Sequence, residues 1–299
     1  MQQYNPKNDH IKVYVNGELL HRNEAKISVF DSIVQGGDAV WEGLRVYNGR
    51  IFALDRHLNR LQESAHTMSF ADIPSSASIK QALFSTLAAN GMTDNTHIRL
   101  TLTRGEKTTS GMDPRLNKFG CGLIILAEWK APIYPTSGVS LITSSIRRNT
   151  PQCLDSKIHH NNLINNILAK IEANLAGVSG AVMLDTNGYV SEVNATNIFM
   201  VKKDQLYTPY ADSCLPGITR GIILELATNN GIKAYEKNIS LHELYNADEV
   251  FTTGTMGELT KVNAIDNRNI CNKFGSSTLA RLQELFSSLT KKSGTPLPL

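Results

Sequence analysis

Three of the chain's five Asn-Gly pairs, Asn16-Gly17, Asn48-Gly49 and Asn187-Gly188, sit between runs of apolar residues that read as strands. Asn-Gly in that setting favours a two-residue hairpin turn, because its backbone accepts positive φ and matches the twist of the flanking strands. "IKVYVNGELL" and "GAVMLDTNGYVSEV" therefore read as strand pairs, "YNGRIFALD" as a second turn, and "NIFMVKKDQLYTP" as a further turn-linked pair. Between them the period changes. "DRHLNRLQESAHTM" carries Leu58, Leu61 and Ala65 at helical spacing, and "SASIKQALFSTLAANG" repeats that pattern with Gly91 as a C-cap. "HIRLTLTRG", "GCGLIILAEW" and "VSLITSSIRRN" read as strands. A helix is expected from Asn162 to Ala176, with Leu163, Ile164, Ile167, Leu168, Ile171 and Leu175 on one apolar face and Gly177 ending it. "LPGITRGIILELATNNG" opens another helix, and "EVFTTGT" and "LARLQELF" read as a last strand and helix.

At 299 residues the chain exceeds one ordinary domain, which argues for two lobes. The expected class is α/β, of the α+β type: a small N-terminal α/β domain over 1–130, an interdomain linker in the proline-punctuated stretch 131–138, and a larger C-terminal domain over 139–299. A formal charge of +3 with scattered basic residues excludes a nucleic-acid partner and leaves small molecules. "MQQYNPKNDH" has no apolar core, and no run approaches the ~18 apolar residues of a membrane span, so a cytoplasmic location without membrane contact is expected. Cys121, Cys153, Cys214 and Cys271 lie far apart and read as reduced packing residues.

The polar stretch "DSKIHHNNLINN" admits three readings: a solvated turn, a metal site on His159 and His160, or a loop presenting Lys157 to a carbonyl compound. No metal is expected, because no third ligand has suitable spacing. In "YVSEVNATNIF" strand alternation gives Glu192 the same face as Val190, and a buried carboxylate needs a cationic partner. "LPGITRG" places the amides of Ile218 and Thr219 after Gly217 at a helix N-terminus, which attracts anions. Thr255, in the polar loop "TTGTMGE", is a further anion-binding candidate. A reactive lysine, a buried carboxylate and a phosphate cradle together match the needs of pyridoxal 5'-phosphate.

On these motifs the chain resembles the class IV aminotransferases, a group that includes branched-chain and D-amino acid aminotransferases. "DAVWEGLRVYNGRIFALDRHLNRLQESA", "NNILAKIEAN" with the lysine before it, "GYVSEVNATNIF", "LPGITR" and "TGTMGE" follow the family order. The resemblance implies fold type IV, two lobes with a pseudo-barrel C-terminal domain, and a homodimer. It further implies that Lys157 is the catalytic residue bonded to pyridoxal phosphate, that Glu192 pairs with the pyridine nitrogen, and that Arg60, Gly217, Ile218, Thr219 and Thr255 hold the phosphate. Gly36, Trp41, Arg99, Gly254 and Met256 would line the substrate pocket, with "GEKTTSGMDPRLN" covering it. Gly36 and Trp41 depart from the family's usual tyrosine and phenylalanine, and "IHHN" departs from its usual sequence after the lysine.

The implied activity is a ping-pong, Schiff-base transfer of an amino group between an amino acid, foremost an L-branched-chain one, and a 2-oxo acid such as 2-oxoglutarate. A D-amino acid or (R)-amine aminotransferase is the alternative. Aminodeoxychorismate lyase and a catalytically silent pyridoxal-binding protein rank below it.

Overall fold

The computed structural model describes residues 4–131, 135, 137–271 and 277–298. The chain divides into two compact units, Met1–Ala131 with Ile158–Asn162 and Thr290–Leu299, and Pro132–Lys157 with Leu163–Leu289. Part of the expected linker, residues 132–134 and 136, lies outside the described residues. Among the described residues no helix is long and apolar enough to cross a membrane.

The first unit contains β1 (Lys12–Val15), β2 (Glu18–His21), α1 (Ser32–Gly36), β3 (Ala39–Tyr47), β4 (Arg50–Ile51), α2 (Leu54–Thr67), α3 (Ser76–Asn90), β5 (Thr96–Thr103) and β6 (Gly122–Trp129). Asn16 and Gly17 both take positive φ between β1 and β2, and Asn48 and Gly49 do so between β3 and β4, as the turn chemistry requires. The long strand β3, which the turn signals do not reveal, pairs antiparallel with β5 from Ala39 to Val46. Leu44, Val46, Ile98, Leu100 and Ile125 on one sheet face are covered by Leu54, Leu58 and Leu61 of α2 and Ile79, Leu83 and Leu87 of α3. Burying each such side chain contributes roughly 1.5–3 kcal/mol, so this face fixes α2 against β3.

The second unit contains β7 (Val139–Thr143), α4 (Ile164–Leu175), β8 (Gly180–Leu184), β9 (Val190–Val193), β10 (Asn197–Lys202), β11 (Gln205–Thr208), α5 (Ile218–Asn229), β12 (Ala234–Glu236), α6 (Leu241–Tyr245), β13 (Glu249–Gly254), β14 (Glu258–Ile265), β15 (Arg268–Asn269) and most of α7 (Thr278–Lys292). A last strand, β16 (Thr295–Pro296), returns to β4 of the first unit. The second sheet runs β12-β11-β10-β13-β14-β7-β8-β9, and a bridge from Val193 to Thr196 brings β9 back to the start of β10, so the sheet curls on itself. Phe199 and Phe251, paired across β10 and β13, stack at 5.2 Å in its core.

Two expectations are corrected here. The aliphatic stripe of α4 is not its buried face: Ile164, Ile167, Leu168, Ile171 and Leu175 are exposed, and the helix packs through Ala169 and Ala173 on Ala181 and Met183 of β8. Small residues allow close backbone approach and leave the large side chains pointing outward. Of the cysteines, Cys214 is buried, but Cys153 and Cys271 are exposed free thiols and contribute no packing.

Candidate active site

Alternation along β3 sends Trp41, Gly43 and Arg45 to one face of the first sheet and Glu42, Leu44 and Val46 to the other. Glu42 therefore lies inside the apolar layer beneath α2, fully buried. Its partners come from one turn of α2 and from the segment following Lys157. Oε1 accepts from Arg60 Nε at 2.8 Å and lies 3.2 Å from His159 Nδ1; Oε2 accepts from Arg60 Nη2 at 2.7 Å and lies 2.6 Å from His57 Nδ1. Burial alone pushes the Glu42 carboxyl up, but the Arg60 guanidinium and the hydrogen bonds from His159 and His57 hold it well below the usual carboxylate range. Burial lowers His159 to about 4, so its ring is neutral near pH 7 and Arg60 supplies the permanent charge at that pH.

Residues Ile158–Asn162 run beside β3 in the first unit. The Trp41 amide donates to the His159 carbonyl at 2.9 Å, the Asn161 amide donates to the Ala39 carbonyl at 2.9 Å, and the Trp41 indole donates to the His160 carbonyl at 3.2 Å. Residues 158–162 of the polar stretch are therefore a strand-like strap with two buried histidines, while Lys157 before them stays on a turn, and α4 starts only at Ile164. Trp41 packs on the His159 ring at 4.1 Å, and the Arg99 guanidinium sits 3.4 Å over Trp41 while donating to Asn161 Oδ1 at 3.2 Å. Burial lowers Arg99 to about 10, which leaves it cationic at neutral pH. Gly36 is the exposed last residue of α1, and the carbonyl of the following Gly37 accepts from Asn162 Nδ2 at 3.1 Å.

In the second unit Lys157 occupies an exposed turn in which its amide donates to Asp155 Oδ1 at 2.9 Å. Among the described residues its side chain makes no hydrogen bond or ion pair. Glu192 is buried, like the rest of β9, and receives Arg148 Nε at 2.6 Å on Oε1 and Asn197 Nδ2 at 3.2 Å on Oε2. Burial pushes its carboxyl up, and the Arg148 guanidinium opposes that shift.

Asn197 also donates to the Leu215 carbonyl at 2.9 Å, which ties β10 to the loop entering α5. A Cβ on Gly217 would stand 2.0 Å from Asn197 Oδ1, so only glycine lets that loop pass. Gly217 is the N-cap of α5 and supplies no side-chain cap, so the amides of Ile218 and Thr219 begin a helix whose N-terminal donors seek an outside acceptor. Thr253 lies opposite Asn197 across the β10–β13 pair. Among the described residues its buried hydroxyl, like that of Thr196, has no hydrogen-bond partner. The expected polar loop at 252–258 is shorter than read: Thr252–Gly254 belong to β13, and Thr255, Met256 and Gly257 form the turn into β14.

Thus Arg60, Trp41 and Arg99 gather around Glu42 and His159, while Glu192 and Gly217 meet through Asn197. Glu42, His57, Arg148 and Asn197 were missed as participants by the sequence reading. The signal for Glu42 was available: a carboxylate inside "AVWEGLRVY" demands a cation by the same argument that singled out Glu192.

The chain matches the family model for amino-transferase class IV over residues 39–265 and belongs to that family. Among its relatives is the branched-chain-amino-acid aminotransferase-like protein 2 of Arabidopsis thaliana, 56% identical over 98% of this chain and 53% of the relative, so the chain spans about half that protein's length. A D-alanine aminotransferase of Bacillus licheniformis is 34% identical over 87% of this chain and 90% of its own. A crystal structure of the T.th. branched-chain amino acid aminotransferase, complexed with N-(5'-phosphopyridoxyl)-L-glutamate, aligns over 94% of each chain with a TM-score of 0.87 and 30% identity. The fold is accordingly the mixed α/β, fold type IV architecture.

Proposed function

We propose that the protein is a pyridoxal phosphate-dependent aminotransferase that moves an amino group between an amino acid, foremost an L-branched-chain one, and a 2-oxo acid such as 2-oxoglutarate, by a ping-pong cycle. The observation that carries this reading is the pairing of Glu192, a buried carboxylate, with an anion-seeking helix N-terminus tied to it through Asn197. The orphaned hydroxyls of Thr196, next to Asn197 in the chain, and of Thr253, opposite Asn197 across the β10–β13 pair, fit a phosphate, which accepts hydrogen bonds from every side. When bound, the cofactor supplies an electron sink for the bond-breaking at the substrate α-carbon.

The chain's residues do the rest. Lys157, exposed on its turn, would hold the cofactor covalently through Nζ and would move a proton to and from the substrate α-carbon. Glu192 would pair with the pyridine nitrogen and keep it protonated. Arg60, Ile218, Thr219 and Thr255 bind the phosphate, with Gly217 giving the backbone room. Gly36, Trp41, Arg99, Gly254 and Met256 contact substrate, Arg99 through a carboxylate. A cytoplasmic homodimer is part of the same reading, and the exposed aliphatic face of α4 supports it as a surface for a second copy.

The D-amino acid alternative is kept by one observation, the similarity to the B. licheniformis D-alanine enzyme. A panel of L- and D-amino acids and primary amines against 2-oxoglutarate and pyruvate separates the two. L-leucine, L-isoleucine or L-valine should lead; a preference for D-alanine would replace the primary reading, and no transfer from any donor would refute both.

A further inference from the structure

We infer that Glu42 is a positioning residue: it sets the plane and direction of the Arg60 guanidinium, and with it the recognition of a phosphate monoester. This rests on the proposed role of Arg60. A carboxylate has about four lone-pair sites, two on each oxygen. Here each oxygen has one Arg60 nitrogen and one histidine Nδ1 within hydrogen-bond distance. Bidentate contact from Nε and Nη2 locks a planar guanidinium in one orientation, which a single hydrogen bond does not. The two histidines complete the carboxylate's coordination, and both are fixed in turn: His57 by its place on α2, and His159 by the Trp41 ring on which it packs and by the Ser64 hydroxyl, which accepts from its amide at 3.1 Å.

The charge of the group leads to the same role. Near pH 7 Glu42 and Arg60 cancel, so the pair offers an incoming phosphate oriented N–H donors and little net attraction. Glu42 therefore acts through geometry. In Glu42→Gln an amide NH2 must face one Arg60 nitrogen and one histidine donor, so half of the lock is lost. Glu42→Asp keeps the charge and both oxygens but shortens the reach by one methylene.

The test compares how tightly apo-protein holds pyridoxal phosphate and pyridoxal, which differ only in the phosphate, in the parent, Glu42→Gln, Glu42→Asp, Arg60→Ala and the Arg60→Ala/Glu42→Gln pair. The parent should prefer pyridoxal phosphate. Glu42→Gln should lower the preference about tenfold, Glu42→Asp less, and Glu42→Gln should add nothing once Arg60 is gone. A general structural role would weaken both ligands together and leave the ratio unchanged, which would overturn the inference. A raised ratio would overturn it too, because Glu42 would then be screening the phosphate. Should Glu42→Gln not fold, Glu42→Asp decides by the same ratio. A parent without preference, or Arg60→Ala without effect, would instead refute the assigned role of Arg60.

Discussion

Glu42 and Glu192 are both carboxylates inside strands, and each is held by a buried arginine, Arg60 and Arg148 respectively. What differs is the remaining coordination: histidines around Glu42, an asparagine amide beside Glu192. If Arg60 holds phosphate, Arg60→Ala removes a charge-assisted hydrogen bond worth about 1.5–3 kcal/mol and should weaken cofactor retention roughly ten- to a hundred-fold. Thr219→Ala leaves the backbone donors in place and should cost no more than about tenfold; dialysis against a competing apo-enzyme ranks the two. The buried histidines predict an acid-sensitive fold. His159 falls from 6.5 to about 4 and His97 from 6.5 to about 3, both chiefly through burial. Below pH 6.5 the unfolded chain takes up protons that the native one refuses, so these sites lower stability as pH falls toward 4 and, for His97, toward 3. Urea midpoints measured across that range should decline less steeply in His159→Gln than in the parent; identical slopes would mean that His159 takes up its proton equally in the native and unfolded chains. At this scale the need of Glu192 for a cation was legible, but its identity as Arg148 was not, because 44 residues separate the two.

Among the elements, hairpins with Asn-Gly turns were legible because their pairing is local, and α2 and α3 because their apolar period and Gly91 agree. The central strand β3 was not, since Glu42, Gly43 and Arg45 interrupt its apolar pattern for reasons that lie in other elements. Nor was the strap at 158–162, whose partner is a strand more than a hundred residues earlier. The helix α4 teaches the opposite lesson: its aliphatic stripe is one face, as the spacing says, but that face is turned outward, because the helix packs inward through the smaller Ala169 and Ala173. At the start of α5, Gly217→Ala would drive a methyl into Asn197 Oδ1. Displacing Asn197 removes a donor from Glu192 and a tie to Leu215, so the substitution should lower thermal stability by about 1–3 kcal/mol and loosen cofactor together, as read by calorimetry and dialysis. A loss of stability with unchanged retention would separate Gly217 from the cradle.

For the whole molecule, five exposed aliphatic side chains on one helix are more than a soluble surface ordinarily leaves uncovered. If α4 joins two copies, Ile167→Asp with Ile171→Asp should convert a dimer to a monomer in sedimentation while the circular dichroism stays unchanged; a parent that sediments as a monomer would rule the surface out. The central claim is that Lys157, on its exposed turn, forms the covalent bond to pyridoxal phosphate. Borohydride reduction of the cofactor-loaded protein, followed by peptide mapping, tests it most directly. The account predicts the pyridoxyl label on the peptide carrying Lys157 and its loss in Lys157→Ala; a label on another lysine, or none on a protein that holds the cofactor, would contradict it.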